Sequence, residues 1–102
     1  MYLVQLLLPR HDNAGHPFPQ DAYIRVRAEL TARYGGVTAY LRSPASGLWK
    51  DEQGAVSREE VVMVEVVVDT LDRPWWSAYR RDLEQRFRQQ ELLVRALGCE
   101  RL

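Results

Sequence analysis

Apolar residues are distributed along this chain in two patterns that are typical of β-strands. Segments 2–8 and 61–69 are almost continuously apolar and rich in β-formers, and the second is mostly valine. Such runs indicate strands buried on both faces of a sheet, or nearly so. Segments 37–42 and 92–97 alternate between apolar and polar residues, which predicts two shorter strands.

Two other segments carry apolar residues at steps of three and four, which predicts amphipathic helices. The first covers 20–34, follows two prolines and ends before Gly35. Proline is tolerated at a helix start, and glycine favours the left-handed conformation that ends helices. The second covers 73–90, with Asp72 as a predicted N-cap and Pro74 in the first turn.

The predicted order of elements is βαββαβ, which is the order of the ferredoxin-like sandwich. We therefore predict an α+β fold in a single domain, 1–102. It has a four-stranded antiparallel sheet with two helices on one face. Right-handed crossovers place the first and third strands at the centre of the sheet. Between the second and third strands, 48–50 and 55–56 can form the arms of a small hairpin that turns at 51–54.

Alternation along the strands assigns each side chain to one face of the sheet. The valines at even positions in 62–68 form a uniformly apolar set that should face the helices. The opposite face, which we call the open face, mixes apolar and polar residues. Its predicted members are Leu3, Gln5, Leu7, Thr38, Tyr40, Arg42, Val61, Met63, Glu65, Val67, Asp69, Leu93, Arg95 and Leu97. No helix covers this apolar patch in a monomer, so we predict a homodimer that buries it.

Composition narrows the range of partners. The chain has 102 residues, of which 14 are basic and 14 acidic, so its formal net charge is zero. This balance argues against nucleic acid or an anionic membrane as a partner. No apolar run approaches the ~18 residues that span a bilayer. The single cysteine, Cys99, excludes an internal disulfide and favours the cytoplasm.

The polar residues of the open face are the main candidates for chemistry. Glu65 stands between valines, where a carboxylate is costly unless it is paired. Arg42 or Arg95 can pair with it, Tyr40 can donate a hydrogen bond, and Gln5 shares the face. One interpretation is a catalytic acid or base in a cavity beneath a partner. The other is an ion pair that fixes the register of the dimer.

Three further residues complete the candidate site. His11 follows the first strand in a loop that we expect at the same end of the sheet as 69–72, at the mouth of the site. With Asp12 and His16 it also fits an ordinary surface turn, and its spacing matches no metal motif. Met63 and Trp49 are candidate ligand contacts, although Met63 also belongs to the apolar patch and core or interface packing is the favoured interpretation of Trp49. We predict neither a metal nor a cofactor.

The segment from Leu30 to Tyr40, which reads LTARYGGVTAY, is followed by Gly47-Leu48-Trp49 and Gly54. In these features the chain resembles small uncharacterised bacterial proteins and looks like the dimeric α/β-barrel branch of ferredoxin-like proteins. That resemblance implies a homodimer that binds a small molecule, or a cofactor-independent enzyme. It brings no established catalytic residues. The alternative is a non-catalytic assembly module whose open face is filled by its partner.

Overall fold

The computed structural model describes residues 1–50 and 56–102, and it describes the side chains of residues 1–38 and 61–102. Within these residues the chain forms two helices and four strands. The elements are β1 Tyr2–Pro9, α1 Gln20–Tyr34, β2 Thr38–Lys50, β3 Val56–Val68, α2 Arg73–Arg86 and β4 Val94–Gly98. Neither helix in the described part of the chain has the length and apolar character that crossing a bilayer requires.

The described strands pair antiparallel in the order β2-β3-β1-β4, so the two most apolar strands lie at the centre. The α+β class with two helices and an antiparallel sheet is confirmed. Strand β1 pairs with β3 along its whole length, from Tyr2 opposite Val68 to Pro9 opposite Val61. Two long central strands can bury a continuous apolar face beneath the helices.

The strands β2 and β3 are longer than predicted. In the predicted hairpin, Lys50 lies opposite Val56, and 48–50 and Val56 continue β2 and β3 instead of forming a separate unit, while Ala55 lies outside the described residues. The register shifts between Tyr40 and Ala45, in the stretch that contains Pro44. Proline cannot donate a ladder hydrogen bond, and an irregularity accommodates it within a strand. The predicted turn at 51–54 lies outside the described residues.

The predicted extent of α2 to residue 90 is wrong, because the helix ends at Arg86. Phe87 caps it through an N–H bond to the Leu83 carbonyl, and Arg88 then has a φ of 51°. The Leu92 N–H donates to the Glu84 carboxylate at 2.9 Å. The chain reverses here to pair β4 with β1. Strand β4 starts at Val94, two residues later than the predicted strand 92–97.

One face of the sheet and the apolar stripes of both helices form a single core. The core residues are Val4, Leu6, Leu8, Tyr23, Val26, Leu30, Val62, Val64, Val66, Val68, Trp76, Tyr79, Leu83, Phe87 and Leu92. The valines at even positions in 62–68 are all at most 4% exposed. The prediction that these valines face the helices is therefore confirmed, and β3 presents its odd-numbered residues to the open face.

A cluster of charged side chains joins α1 to α2 at the edge of the core. Arg86 donates from Nη1 to Glu29 Oε1 at 2.6 Å and from Nη2 to Glu29 Oε2 at 2.8 Å. The same guanidinium contacts Asp82 at 2.6 Å, and the Tyr79 hydroxyl donates to Glu29 at 3.1 Å. The hydrogen bonds from Arg86 hold the pKa of Glu29 below its usual range. This two-pronged contact is the strong form of an ion pair.

Replacing Glu29 with glutamine is expected to reduce stability at neutral pH by about 1–2 kcal/mol, because one charged partner of Arg86 is lost. The pKa of Glu29 is lower in the folded state than its usual value near 4.5. Its stabilisation is therefore present above that value and is lost as the pH falls through the folded-state pKa. Urea unfolding from about pH 7 to about pH 3 should show a shallower loss of stability in Glu29→Gln than in the wild type.

The exposed acid Glu91 provides the matched control. Glu91→Gln should keep the pH dependence of the wild type, because Glu91 takes no part in the contact between the helices. Equal pH dependence in the Glu29→Gln variant and the wild type would show that the cluster contributes nothing to folding.

Candidate functional site

The registers of β1 with its two neighbours arrange the open face in rows that cross the sheet. Residues two apart on a strand share a face, and on this face Leu3 and Gln5 of β1 have a partner on either side, whereas Leu7 pairs with β3 only. A polar row lies between apolar rows. The rows are Leu97–Leu3–Val67, Arg95–Gln5–Glu65 and Leu7–Met63. This arrangement places the charged groups at the centre of an apolar surface.

Hydrogen bonds connect the polar row from β4 to β3. Arg95 Nε donates to Gln5 Oε1 at 2.6 Å, and Gln5 Nε2 donates to Glu65 Oε2 at 2.6 Å. Gln5 Nε2 also lies 3.6 Å from Met63 Sδ. Gln5 and Glu65 are half-buried, and Arg95 is exposed. An amide both accepts and donates hydrogen bonds. Gln5 can therefore link the Arg95 guanidinium to the Glu65 carboxylate, which the guanidinium does not reach directly.

A groove of about 420 Å³ opens beside Glu65, where the start of β1 meets the end of β3. Leu3 and Val67 form its apolar walls, and Thr38 lies opposite Glu65 in the β2–β3 register. The backbone of Gly35 borders the groove in the left-handed conformation, with a φ of 81°, and donates its N–H to the Thr31 carbonyl. A side chain at that position would strain the turn. The volume is within the usual range for a small-molecule site.

The structure brings together some of the predicted site residues. Gln5, Glu65, Arg95 and Met63 lie in one hydrogen-bonded group. The predicted roles of Tyr40, Arg42 and Trp49 concern side chains that lie outside the described residues. The backbone of Tyr40 pairs with Met63, next to the polar row.

The structure places His11 away from the groove beside Glu65. The expectation that its loop shares an end of the sheet with 69–72 is wrong, because β1 and β3 are antiparallel and their following loops emerge at opposite ends. The loop is a turn in which Asp12 Oδ1 accepts the N–H groups of Ala14 and His16 at 2.9 Å. These hydrogen bonds lower the pKa of Asp12, and the one from the His16 N–H has the largest effect. Among the described residues, no group of three or more His, Cys, Asp or Glu is placed to hold a metal ion.

Sequence reasoning missed Thr38 and the Tyr34-Gly35-Gly36 turn as groove residues, and it missed Gln5 as the link between the charges. Alternation put Gln5 and Glu65 on one face but did not make them neighbours. The antiparallel register would have identified this pair. In such a register the numbers of two paired residues always add to the same value, so fixing one pair of β1 and β3 fixes all the others.

Comparison of the fold with solved structures identifies similar proteins. A phage SAM lyase in complex with S-methyl-5′-thioadenosine has a TM-score of 0.60 and 12% sequence identity, over 95% of this chain and 80% of that chain. A phage SAM lyase in the apo state has a TM-score of 0.58 and 12% identity, over 94% and 78% of the two chains. At this identity the likeness shows the fold alone, a small α/β architecture of the kind the resemblance implies. The chain matches no protein-family model and no curated protein at significant similarity.

Proposed function

We propose that this protein is a homodimeric, cytoplasmic, ferredoxin-like sandwich of the dimeric α/β-barrel type that binds a small molecule beside Glu65. In this proposal a second copy covers the open face. The two chains then enclose the polar row and the groove between their sheets. The apolar rows on either side of the polar row supply the area that favours association.

The observation that carries this proposal is the hydrogen-bonded row from Arg95 through Gln5 to Glu65. Burying an unpaired carboxylate or guanidinium under a partner would be costly. The two 2.6 Å hydrogen bonds through Gln5 compensate part of that cost before any partner arrives. If the face served only to pack against a second copy, apolar residues at these positions would stabilise that contact better.

The chemistry of the groove indicates the class of ligand. The described residues that line it include one carboxylate and no basic side chain, which favours a ligand with a positive charge or several hydrogen-bond donors. The phage enzyme of similar fold acts on SAM and was solved with S-methyl-5′-thioadenosine. S-Adenosylmethionine carries a sulfonium cation, whereas S-methyl-5′-thioadenosine is a smaller neutral thioether without the amino acid chain, so this pair compares a charged ligand with a neutral one that shares its thioadenosine part.

If the site is catalytic, Glu65 is the group that would accept or donate a proton. Gln5 positions its carboxylate through the 2.6 Å hydrogen bond, and Arg95 orients Gln5. This is cofactor-independent acid–base chemistry, in which one side chain transfers the proton and the others hold that side chain in place.

Titration calorimetry with S-adenosylmethionine and with S-methyl-5′-thioadenosine tests the proposal. The wild type should bind S-adenosylmethionine, and Glu65→Gln should weaken that binding by about tenfold or more, because a charge contact is lost without a change of shape. The same substitution should change binding of the neutral thioether by less than about threefold.

Glu91→Gln is the control, since Glu91 is exposed and lies near Leu7 and Pro9, at the opposite end of β1 from the groove. It should leave both affinities unchanged. Failure of the wild type to bind either compound would overturn the proposed ligand class. An equal loss with both compounds would show that Glu65 supports the fold of the site and does not contact the charge.

A non-catalytic assembly module is the second candidate, and the exposed apolar residues on the outer row favour it. Val67 is 47% exposed and Leu97 46% exposed in the isolated chain. In that case the polar row fixes the register between two copies. Association that persists in Glu65→Gln with altered strength, together with no ligand binding, would support this alternative.

A further inference from the structure

A second cleft lies on the other side of the sheet edge, between the start of α2 and the strand β4. Its volume is about 260 Å³. Its polar and aromatic walls come from Arg73, Trp76, Ser77, Arg80 and Arg95, and its remaining walls are aliphatic. The groove beside Glu65 shares none of these residues. The two openings therefore differ in position and in chemistry.

Among the described residues that line this cleft, three are arginines and none is acidic. Arg80 is partly neutralised by Glu84, whose Oε2 lies 3.3 Å from Arg80 Nη1. Arg95 uses its Nε for Gln5. Arg73 makes no hydrogen bond or ion pair within the described part of the chain, so its guanidinium is available. An uncompensated guanidinium beside the partly neutralised Arg80 favours an anion, and its planar fork suits carboxylate or phosphate oxygens.

Trp76 gives the cleft an aromatic wall. The residue is 7% exposed, and its indole Nε1 is buried without an acceptor among the described residues. Because Nε1 is closed to solvent, a molecule in the cleft contacts the indole ring and not this N–H.

The position of the cleft at the start of α2 also favours a bound anion. Arg73 is the first residue of α2, and Ser77 lies one turn further along. The N-terminal end of a helix carries a partial positive charge, which stabilises an anion placed there. Asp72 uses its carboxylate to accept the Trp75 N–H at 3.2 Å, so this N-cap satisfies one backbone donor.

We propose that the cleft between α2 and β4 binds a small organic anion. Its carboxylate or phosphate group contacts Arg73 and Ser77, and its apolar body lies against Trp76. This site is independent of the proposed function, because it uses the arginine-lined side of the β4 edge and not the groove beside Glu65. Arg95 borders the cleft and also belongs to the polar row, so it is the one residue common to both regions.

Phenyl phosphate, which joins a phosphate to a flat apolar ring, is the probe for this site. Titration followed by ¹H–¹⁵N NMR at constant ionic strength should give a saturable shift of the Trp76 indole N–H. That resonance is assigned with a Trp76→Phe variant. Arg73→Gln should weaken binding by about fivefold or more, because it removes the available guanidinium. Phenol, which lacks the anion, should produce no saturable shift.

Arg81 provides the matched control because it is exposed on the same helix and does not line the cleft. Arg81→Gln should keep the affinity of the wild type within about twofold. Equal weakening by Arg73→Gln and Arg81→Gln would reduce the effect to general attraction by a basic helix and would overturn the proposal. A titration without saturation, or one in which phenol acts as phenyl phosphate does, would also overturn it. Benzoate in place of phenyl phosphate distinguishes a carboxylate ligand from a phosphate ligand.

Discussion

A variant with aspartate at both Val67 and Leu97 is expected to be monomeric under conditions in which the wild-type chain forms the proposed dimer. The two residues flank Leu3 in the outer row of the open face, and each is nearly half-exposed in the isolated chain. Solvent can therefore hydrate both carboxylates in the monomer. In the dimer, four unpaired carboxylates would be buried, and each would cost several kcal/mol.

Sedimentation equilibrium measures this effect, and the dissociation constant should rise by about 100-fold or more. Ile24→Asp is the control, because Ile24 is 50% exposed but lies on α1, away from the open face. This control should remain a dimer. A wild-type chain that is monomeric at micromolar concentration would contradict the proposed assembly directly. A dimer that tolerates both aspartates would show that association uses another surface.

Replacing Phe87 with alanine is expected to destabilise the domain by about 3–5 kcal/mol. The ring is fully buried at the end of α2, and its centroid lies 5.1 Å from that of Phe18 and 5.5 Å from that of Tyr23. Alanine would leave a cavity where three aromatic rings meet, and it would remove the contact that holds the end of α2 against the start of α1. Stability of this size is a large fraction of what a domain of about 100 residues possesses.

Urea unfolding at one fixed protein concentration measures the loss, since concentration affects the stability of any dimer. Phe87→Leu, which keeps most of the volume, should cost about 1–2 kcal/mol. Leu102→Ala is the control, because Leu102 is fully exposed and should change stability by less than about 0.5 kcal/mol. A loss below about 1 kcal/mol in Phe87→Ala would show that the aromatic cluster can repack around the cavity.

The elements that the sequence predicts well are those whose pattern is set by local residues. The bounds of α1 agree with the prediction because Pro19 precedes the helix and Gly35 ends it in the left-handed conformation. The bounds of α2 and β4 do not agree, since the stop at Arg86 depends on burial of Phe87 and on the chain reversing to reach β1. Neither requirement is visible in the local sequence.

The candidate site was only partly predictable for the same reason. The sequence indicates that Glu65 and Arg95 share a face and suggests a direct ion pair. In the structure Gln5 stands between them and bonds to both. The intervening strand β1 separates β3 from β4, so strand order decides which polar groups touch. Alternation along one strand carries no information on that order.

The sequence by itself determined the α+β class, the two central strands, the stripes of the helices and the apolar character of the open face. Each of these depends on the spacing of apolar residues, which can be read directly from the sequence. Tertiary structure alone decided the link through Gln5, the distance of His11 from the groove and the meeting of Arg73 with β4. These depend on strand direction, register and the approach of distant segments. Physically, they are set by which surfaces bury most completely against each other, and that competition involves the whole chain at once.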